Sequence, residues 1–205
     1  MGFKVKLNPD GTIERFKCRL CARGFLQKHG VDYSATFSPV AQAATIKLLL
    51  AIAAEKRMHL RQADVSTAFL YGDLPKTETV YMECPPGIEH EKGQVICLLR
   101  CIYGFKQVSR RFFDKLKGIL TSAGYTPTKF DPCLYRRLHK GKETLVSVVV
   151  DDLLIASDSK KEAKRVIKSL RKAGLDTKDL GVPSYVIGVH IKRHSNGDIS
   201  LNQRL

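Results

Sequence analysis

Three aspartates carry the strongest chemical signal in this 205-residue chain. Asp151 and Asp152 interrupt an otherwise apolar, β-branched stretch that runs from Leu145 to Val150 and resumes from Leu153 to Ile155. Two strands joined at that interruption form a tight hairpin with both acids at its tip. Asp is also a favoured turn residue, so for the pair taken alone a merely wetted tip is the ordinary explanation. If instead both strands are core strands and the tip reaches a cleft, adjacent like charges must be neutralised. Hard divalent cations with oxygen ligands do this best. The third acid, Asp64, sits in Gln62-Ala63-Asp64-Val65-Ser66-Thr67-Ala68-Phe69-Leu70. It either joins the pair or caps a helix starting at Val65. Two-metal phosphoryl transfer needs carboxylates from separate elements converging on ions about 3.5–4 Å apart, one activating a primer 3′-hydroxyl and one holding the triphosphate.

The rest of the chain suits a polyanionic partner. A formal net charge of +15 and a pI near 9.7 draw a protein to nucleic acid, although cations that merely solvate helix faces are the ordinary alternative. Residues 1–63 carry +7, residues 64–100 carry −3 and residues 101–205 carry +11, so two basic flanks enclose an acidic middle. Apolar runs are broken by Lys47 and Asp151 before they reach membrane-spanning length, and no signal-peptide core or myristoylation signal follows Met1. A soluble protein without a membrane partner is expected. Cys18 and Cys21 have zinc-like spacing, but on a strand their side chains diverge and no second pair matches them. Buried, reduced thiols are therefore expected.

Several elements must position these groups. Asn8-Pro9-Asp10-Gly11 predicts a turn between strands Phe3–Leu7 and Thr12–Leu20, with Lys17, Arg19, Cys21 and Arg23 alternating onto one face. Those three cations could meet phosphates, or simply water. Helical spacing of Ile46, Leu49, Leu50, Ala53 and Ala54 predicts a helix from Ala43 to Met58. A second helix from Val108 to Ala123 would bury Phe112, Leu116, Ile119 and Leu120 and end at Gly124. A third, with Ser159 and Glu162 as a capping box, would turn Ala163, Val166, Ile167, Leu170 and Ala173 inward before Gly174. A last hairpin pairs Tyr185–Ile191 with Ile199–Leu201 around Asn196-Gly197. The pattern is α+β, with helices packed on one face of a mainly antiparallel sheet. It contains no Gly-rich phosphate loop.

Ordered motifs then make a resemblance specific. Phe16-Lys17-Cys18-Arg19-Leu20-Cys21-Ala22-Arg23-Gly24-Phe25, Val31-Asp32-Tyr33, Phe37-Ser38-Pro39-Val40 and the Asp64–Leu70 segment resemble the reverse transcriptase of copia-type LTR retrotransposons. So do Tyr81-Met82, Pro85-Pro86-Gly87, Ile102-Tyr103-Gly104-Phe105-Lys106-Gln107 and Val149-Val150-Asp151-Asp152. The resemblance implies a right-hand polymerase fold, with roughly residues 1–60 as fingers and 61–205 mostly as palm. It also implies an RNA-directed DNA polymerase with Asp64, Asp151 and Asp152 as catalytic acids, and Asp64, Val65, Asp151 and Asp152 as the site of two Mg2+ ions, or Mn2+ in their place. Phe69 would exclude a ribose 2′-hydroxyl; otherwise it is a core aromatic between Ala68 and Leu70. Tyr103, Gly104, Lys106 and Gln107 would approach the nascent base pair and template, Lys17, Arg19 and Arg23 are candidates for the triphosphate, and Tyr185, Val186, Ile187 and Gly188 would grip the primer or form ordinary sheet core. Partners would be an RNA or DNA template with its primer and deoxynucleoside triphosphates, in a cytoplasmic virus-like particle or the nucleus. Three positions depart from the family's habit: Val149 where Tyr precedes the paired acids, Gln42 where Arg is common, and Val108-Ser109 where Ala-Pro is usual. Thumb and ribonuclease H segments are expected beyond Leu205. A catalytically silent remnant that binds nucleic acid is the competing reading.

Overall fold

The computed structural model describes residues 2–8 and 10–203; Pro9, in the expected first turn, lies outside the described residues. In chain order the elements are β1 (Gly2–Leu7), β2 (Ile13–Arg19), α1 (Ala43–Glu55), β3 (His59–Val65), β4 (Val80–Glu83), β5 (Val95–Leu98), α2 (Val108–Ser122), β6 (Thr126–Pro127), β7 (Leu134–His139), β8 (Lys142–Val149), β9 (Asp152–Ser157), α3 (Lys160–Lys172), β10 (Thr177–Gly181), β11 (Tyr185–Val186), β12 (Val189–Arg193) and β13 (Ile199–Asn202). The chain divides into two interleaved units: one takes residues 2–38 and 69–115, the other 39–68 and 116–203.

The second unit is built on a six-stranded sheet in the order β10-β3-β9-β8-β7-β6, antiparallel throughout. β8 and β9 are buried along nearly their whole length rather than on alternate residues. The side chains of these two central strands are therefore buried on both faces of the sheet. α1 and α3 both pack against β8 and β9. On α1, Ile46, Leu49, Leu50 and Ala53 are buried as their spacing predicts. That helix stops at Glu55 instead of reaching Met58, because Arg57 turns left-handed (φ 51°) while Arg57 and Met58 donate their N–H groups back to Ala54 and Ala53. α3 buries Ala163, Val166, Ile167 and Leu170, but Ala173 is exposed at the C-cap, past the last buried turn. The expected capping box does not form: Ser159 makes no side-chain cap, and the Glu162 carboxylate accepts from Arg137 at 3.1 Å instead. A separate three-stranded sheet, β11-β12-β13, replaces the single long strand expected over Tyr185–Ile191, because Ile187 and Gly188 both have positive φ and turn the chain back on itself.

In the first unit β1 pairs with β2 and β4 with β5. One face of the β1–β2 hairpin is apolar and exposed, with Phe3 at 78% and Phe16 at 77%, while the other carries Lys4, Lys6, Arg15 and Lys17 in cross-strand pairs. Cys18 stands opposite Phe3 on the exposed apolar face. The expectation of buried thiols fails for Cys18, Cys21 and Cys97, which are exposed, Cys97 on the outer face of the β4–β5 hairpin opposite Tyr81, and holds for Cys101 and Cys133. Desolvation pushes the Cys101 thiol up to about 11 and the Cys133 thiol up to about 12. A small core forms around Val80, Cys101, Phe105 and Val108. Beside it, Glu78 is buried and paired with Arg111. No helix of the described residues is long and apolar enough to cross a membrane.

Candidate functional site

Asp64 lies in β3, not at the start of a helix, so the capping alternative is overturned. β9 runs between β3 and β8, and the register sets Asp152 directly opposite Asp64 on one side and opposite Val149 on the other. The turn that joins β8 to β9 is Val150-Asp151, one residue earlier than the Asp151-Asp152 tip expected from sequence; Asp152 is already the first residue of β9. The Val65 N–H donates to the Asp151 carbonyl at 2.9 Å, which ties the turn to the end of β3. Asp151 is exposed, and Asp64 and Asp152 are half-buried.

The electrostatics follow from this register. Burial raises the Asp152 carboxyl above the ordinary carboxylate range; a 3.5 Å hydrogen bond from Gln62 opposes the shift, and the charges of Asp151 and Asp64 add to it. Among the described residues no ion pair reaches Asp151 or Asp152. Hard carboxylate oxygen donors of this kind suit magnesium or manganese. As the side chains stand, no group of three or more His, Cys, Asp or Glu among the described residues is arranged to hold a metal ion. The donor chemistry therefore fits the ions, while the carboxylates are not closed around one.

Backbone strain marks the same segments. Five described non-glycine residues have positive φ, and three of them are β-branched: Thr67 (51°), Val150 (58°) and Ile187 (46°). For such side chains this region is a genuine outlier. The three fall just after Asp64, beside Asp151, and at the tip of the β11–β12 turn among the primer-binding candidates. Tyr185 and Ile187 are exposed there, Val186 is buried, and the Tyr185 ring meets the His190 ring edge-on at 4.9 Å. The left-handed geometry was not predictable from sequence, since β-branched residues argue against it locally.

The first unit holds the other candidates. Lys17 and Arg19 share a face of β2, but the strand ends at Arg19, so Cys21 and Arg23 do not continue that face. The Arg19 guanidinium lies 4.8 Å over the Tyr103 ring, and its Nε is buried without a partner. Arg23 pairs with Glu83 at 2.5 Å on the wall of a cleft of about 610 Å3 that Gln27 and Phe105 also line. Phe69 packs against the Val80–Phe105 core and meets the Tyr103 ring edge-on at 5.6 Å, so it is at least a core aromatic.

The Tyr103–Gln107 loop is bonded to the segment before it. The Tyr103 carbonyl accepts from the Ala22 N–H at 2.7 Å. Lys106 donates from its backbone N–H to the Gln27 side-chain oxygen at 2.9 Å and from Nζ to the Gln27 carbonyl at 3.0 Å. Gln107 is fully buried and donates to the Asp32 carbonyl at 3.0 Å, so its side chain is an internal tie as placed. Gly104 has φ 92°, and a Cβ there would stand 2.2 Å from the Ala22 carbonyl oxygen. A Cβ on Gly24 would stand 1.9 Å from the Gly104 carbonyl oxygen. Sequence reasoning placed Gly24 in a motif without its close approach to Gly104, and missed the Glu78–Arg111 pair and Asp131, a buried carboxylate that accepts from the Gln42 N–H, the Thr45 hydroxyl and the Cys133 N–H. Each depends on a partner remote in sequence, so no local pattern announces it.

Comparison with known proteins follows the same outline. The profile of the family described as reverse transcriptase (RNA-dependent DNA polymerase) matches residues 2–204. The chain is 37% identical over 194 residues to the retrovirus-related Pol polyprotein from transposon TNT 1-94 of Nicotiana tabacum, covering 93% of this chain and 14% of the relative. It is 36% identical over 205 residues to that from transposon RE1 of Arabidopsis thaliana, covering 98% and 14%. The transposon Ty1-BL Gag-Pol polyprotein of Saccharomyces cerevisiae is 27% identical over 191 residues, covering 89% and 10%. The chain thus spans about one seventh of the length of the two plant relatives.

Proposed function

Since this chain belongs to the reverse transcriptase (RNA-dependent DNA polymerase) family, we propose that it is the fingers-and-palm portion of a retrotransposon RNA-directed DNA polymerase that extends a primer with deoxynucleotides. The observation that carries the reading is the direct cross-strand pairing of Asp64 with Asp152, beside a turn holding Asp151. The unit of residues 39–68 and 116–203, which contains all three acids, is assigned as palm, and the other unit as fingers.

Asp64, Asp151, Asp152 and the backbone of Val65 would hold the two magnesium ions, which supply charge neutralisation for the triphosphate and acidify the primer 3′-hydroxyl. The protein's own part is placement. The β3–β9 register and the bond from Val65 to Asp151 fix the backbones that carry the acids against each other, so that side-chain rotation alone is left to close them around the ions. The Tyr185–Gly188 turn, exposed at Tyr185 and Ile187, is assigned to the primer end and Phe69 to the sugar gate. In the fingers, Lys17, Arg19 and Lys106 supply positive charge towards template or triphosphate, and the Gly104 and Gln107 ties hold the loop that presents Tyr103 and Lys106.

The test is primer extension on an RNA template with Mg2+, run beside a binding measurement. Asp64→Asn and Asp151→Asn are expected to lose extension while nucleic-acid affinity stays nearly unchanged; full extension by either variant defeats the assignment. With Phe69→Ala, ribonucleotide incorporation is expected to appear. Unchanged discrimination in an active enzyme would leave Phe69 with its core role alone.

A further inference from the structure

α3 carries a surface that the polymerase reading does not use. Its apolar residues Ala163, Val166, Ile167 and Leu170 are buried, and its one acid, Glu162, is buried as well and engaged with Arg137 and Arg165. Arg171 is also engaged, donating to the Thr177 carbonyl at 2.8–2.9 Å. That leaves Lys160, Lys161, Lys164, Lys168 and Lys172 exposed, and none of them has an ion-pair partner among the described residues. They repeat at three- and four-residue steps along the side of the helix turned from the sheet.

This arrangement works against the helix itself. Like charges at these spacings weaken a helix, and Lys160 and Lys161 stand in the first turn, where the helix dipole disfavours cations. A face that only needs water normally mixes both signs. The row advances about 5–6 Å per step over about 16 Å of helix, a ladder of single charges rather than a cluster. An anionic membrane would be met by apolar residues beside the lysines, and a protein partner by an aromatic or aliphatic anchor. No large apolar side chain of α3 is exposed to serve as either.

We infer that the lysine row of α3 is a second nucleic-acid contact, binding the phosphate backbone of a duplex or strand without regard to sequence, on the side of the helix away from the sheet that bears the three acids. It would hold template or product outside the reaction centre, and it rests on the polymerase reading only for the choice of polyanion.

The experiment compares Lys161→Gln/Lys164→Gln/Lys168→Gln with an equal charge removal at exposed lysines elsewhere in the same unit, Lys129→Gln/Lys140→Gln/Lys142→Gln. Affinity for a 20-base-pair RNA–DNA hybrid is measured across a salt series. Each phosphate contact contributes about 0.9 to the slope of log affinity against log salt for a duplex, so three lost contacts lower it by about 2–3. The expected result is that loss, with affinity down about tenfold or more, for the α3 variant only. Equal losses in both variants would overturn the inference, because net charge alone would then explain them. So would a loss of binding to phosphatidylserine vesicles with hybrid binding untouched. Primer extension is scored separately: absent extension in the wild-type chain would defeat the polymerase reading, whereas an α3-specific loss of slope would still sustain this one.

Discussion

Val150→Gly should make the protein more stable, against the usual effect of placing glycine next to a strand. Val150 holds φ 58° in the turn between β8 and β9. The left-handed region costs an L-residue about 1–2 kcal/mol. Glycine removes that strain but gives the unfolded chain extra freedom, worth about 0.4–1 kcal/mol. The difference is a net gain of about 0.5–1 kcal/mol, or about 1–4 °C in melting temperature for a chain of this length. Val149→Gly is the control: Val149 is paired with Asp152 in regular strand, has no strain to relieve, and should lose about 1 kcal/mol. Urea denaturation of both variants, with unchanged m-values, reads the two signs directly. Primer extension by Val150→Gly should slow, since a glycine no longer restricts the peptide that presents Asp151. The reasoning fails if Val150→Gly is destabilised as much as Val149→Gly. If stability rises and extension is unchanged, the strain is real but idle.

Other expectations concern the ties around the site. Gly104→Ala combines a Cβ 2.2 Å from a carbonyl oxygen with φ 92°, and should cost about 2–5 kcal/mol by denaturation, whereas Gly118→Ala in α2, with open space around it, should cost nothing or stabilise. Equal stability of Gly104→Ala and wild type would contradict the close approach. Asp131→Ala should cost about 1–3 kcal/mol at neutral pH, because three donors lose their acceptor. Burial raises the Asp131 carboxyl, but its hydrogen bonds outweigh this and hold it below the usual range. Its contribution is therefore present above about pH 4 and lost as pH falls through the lowered value, so the gap to wild type should close in acid. Asp152 has the opposite sign. Its raised carboxyl stabilises the fold only while protonated, and that contribution is lost as pH rises through the raised value. Asp152→Asn should accordingly melt higher than wild type at pH 7 in EDTA, with the advantage vanishing towards pH 4. Mg2+ should raise the melting temperature of wild type more than that of the variant; equal shifts would mean that Asp152 does not hold the ion.

The sequence disclosed what repeats locally. The spacing of Ile46, Leu49, Leu50 and Ala53 gave α1, that of Phe112, Leu116 and Leu120 gave α2, and the apolar run broken at Asp151 gave the β8–β9 hairpin, because amphipathic period and turn chemistry are properties of neighbouring residues. The order β10-β3-β9-β8 was hidden, since a strand's pattern tells which face is buried but not which strand lies beside it. That is why Asp64 could be mistaken for a helix cap, although its pairing with Asp152 is the central feature of the site. The motif Tyr103–Gln107 was visible as a group, but whether each residue faces a ligand or a neighbouring backbone was not. Burial settles that Gln107 points inward. The left-handed Thr67, Val150 and Ile187 were legible least of all, because their residue types predict the reverse.

The contact between Gly24 and Gly104 has a consequence for how this protein can change over time. Most steric faults introduced by mutation can be repaired by trimming the side chain they collide with. Here the atoms in the way are the carbonyl oxygens of Gly104 and Ala22, which every amino acid possesses. No second substitution can therefore remove the obstacle; only moving the chain can. A suppressor screen seeded with Gly104→Ala should return revertants to glycine and no compensating change at residues 20–27. The two positions thus hold the descent of the gene to glycine, since a loss at either is made good only by reversal.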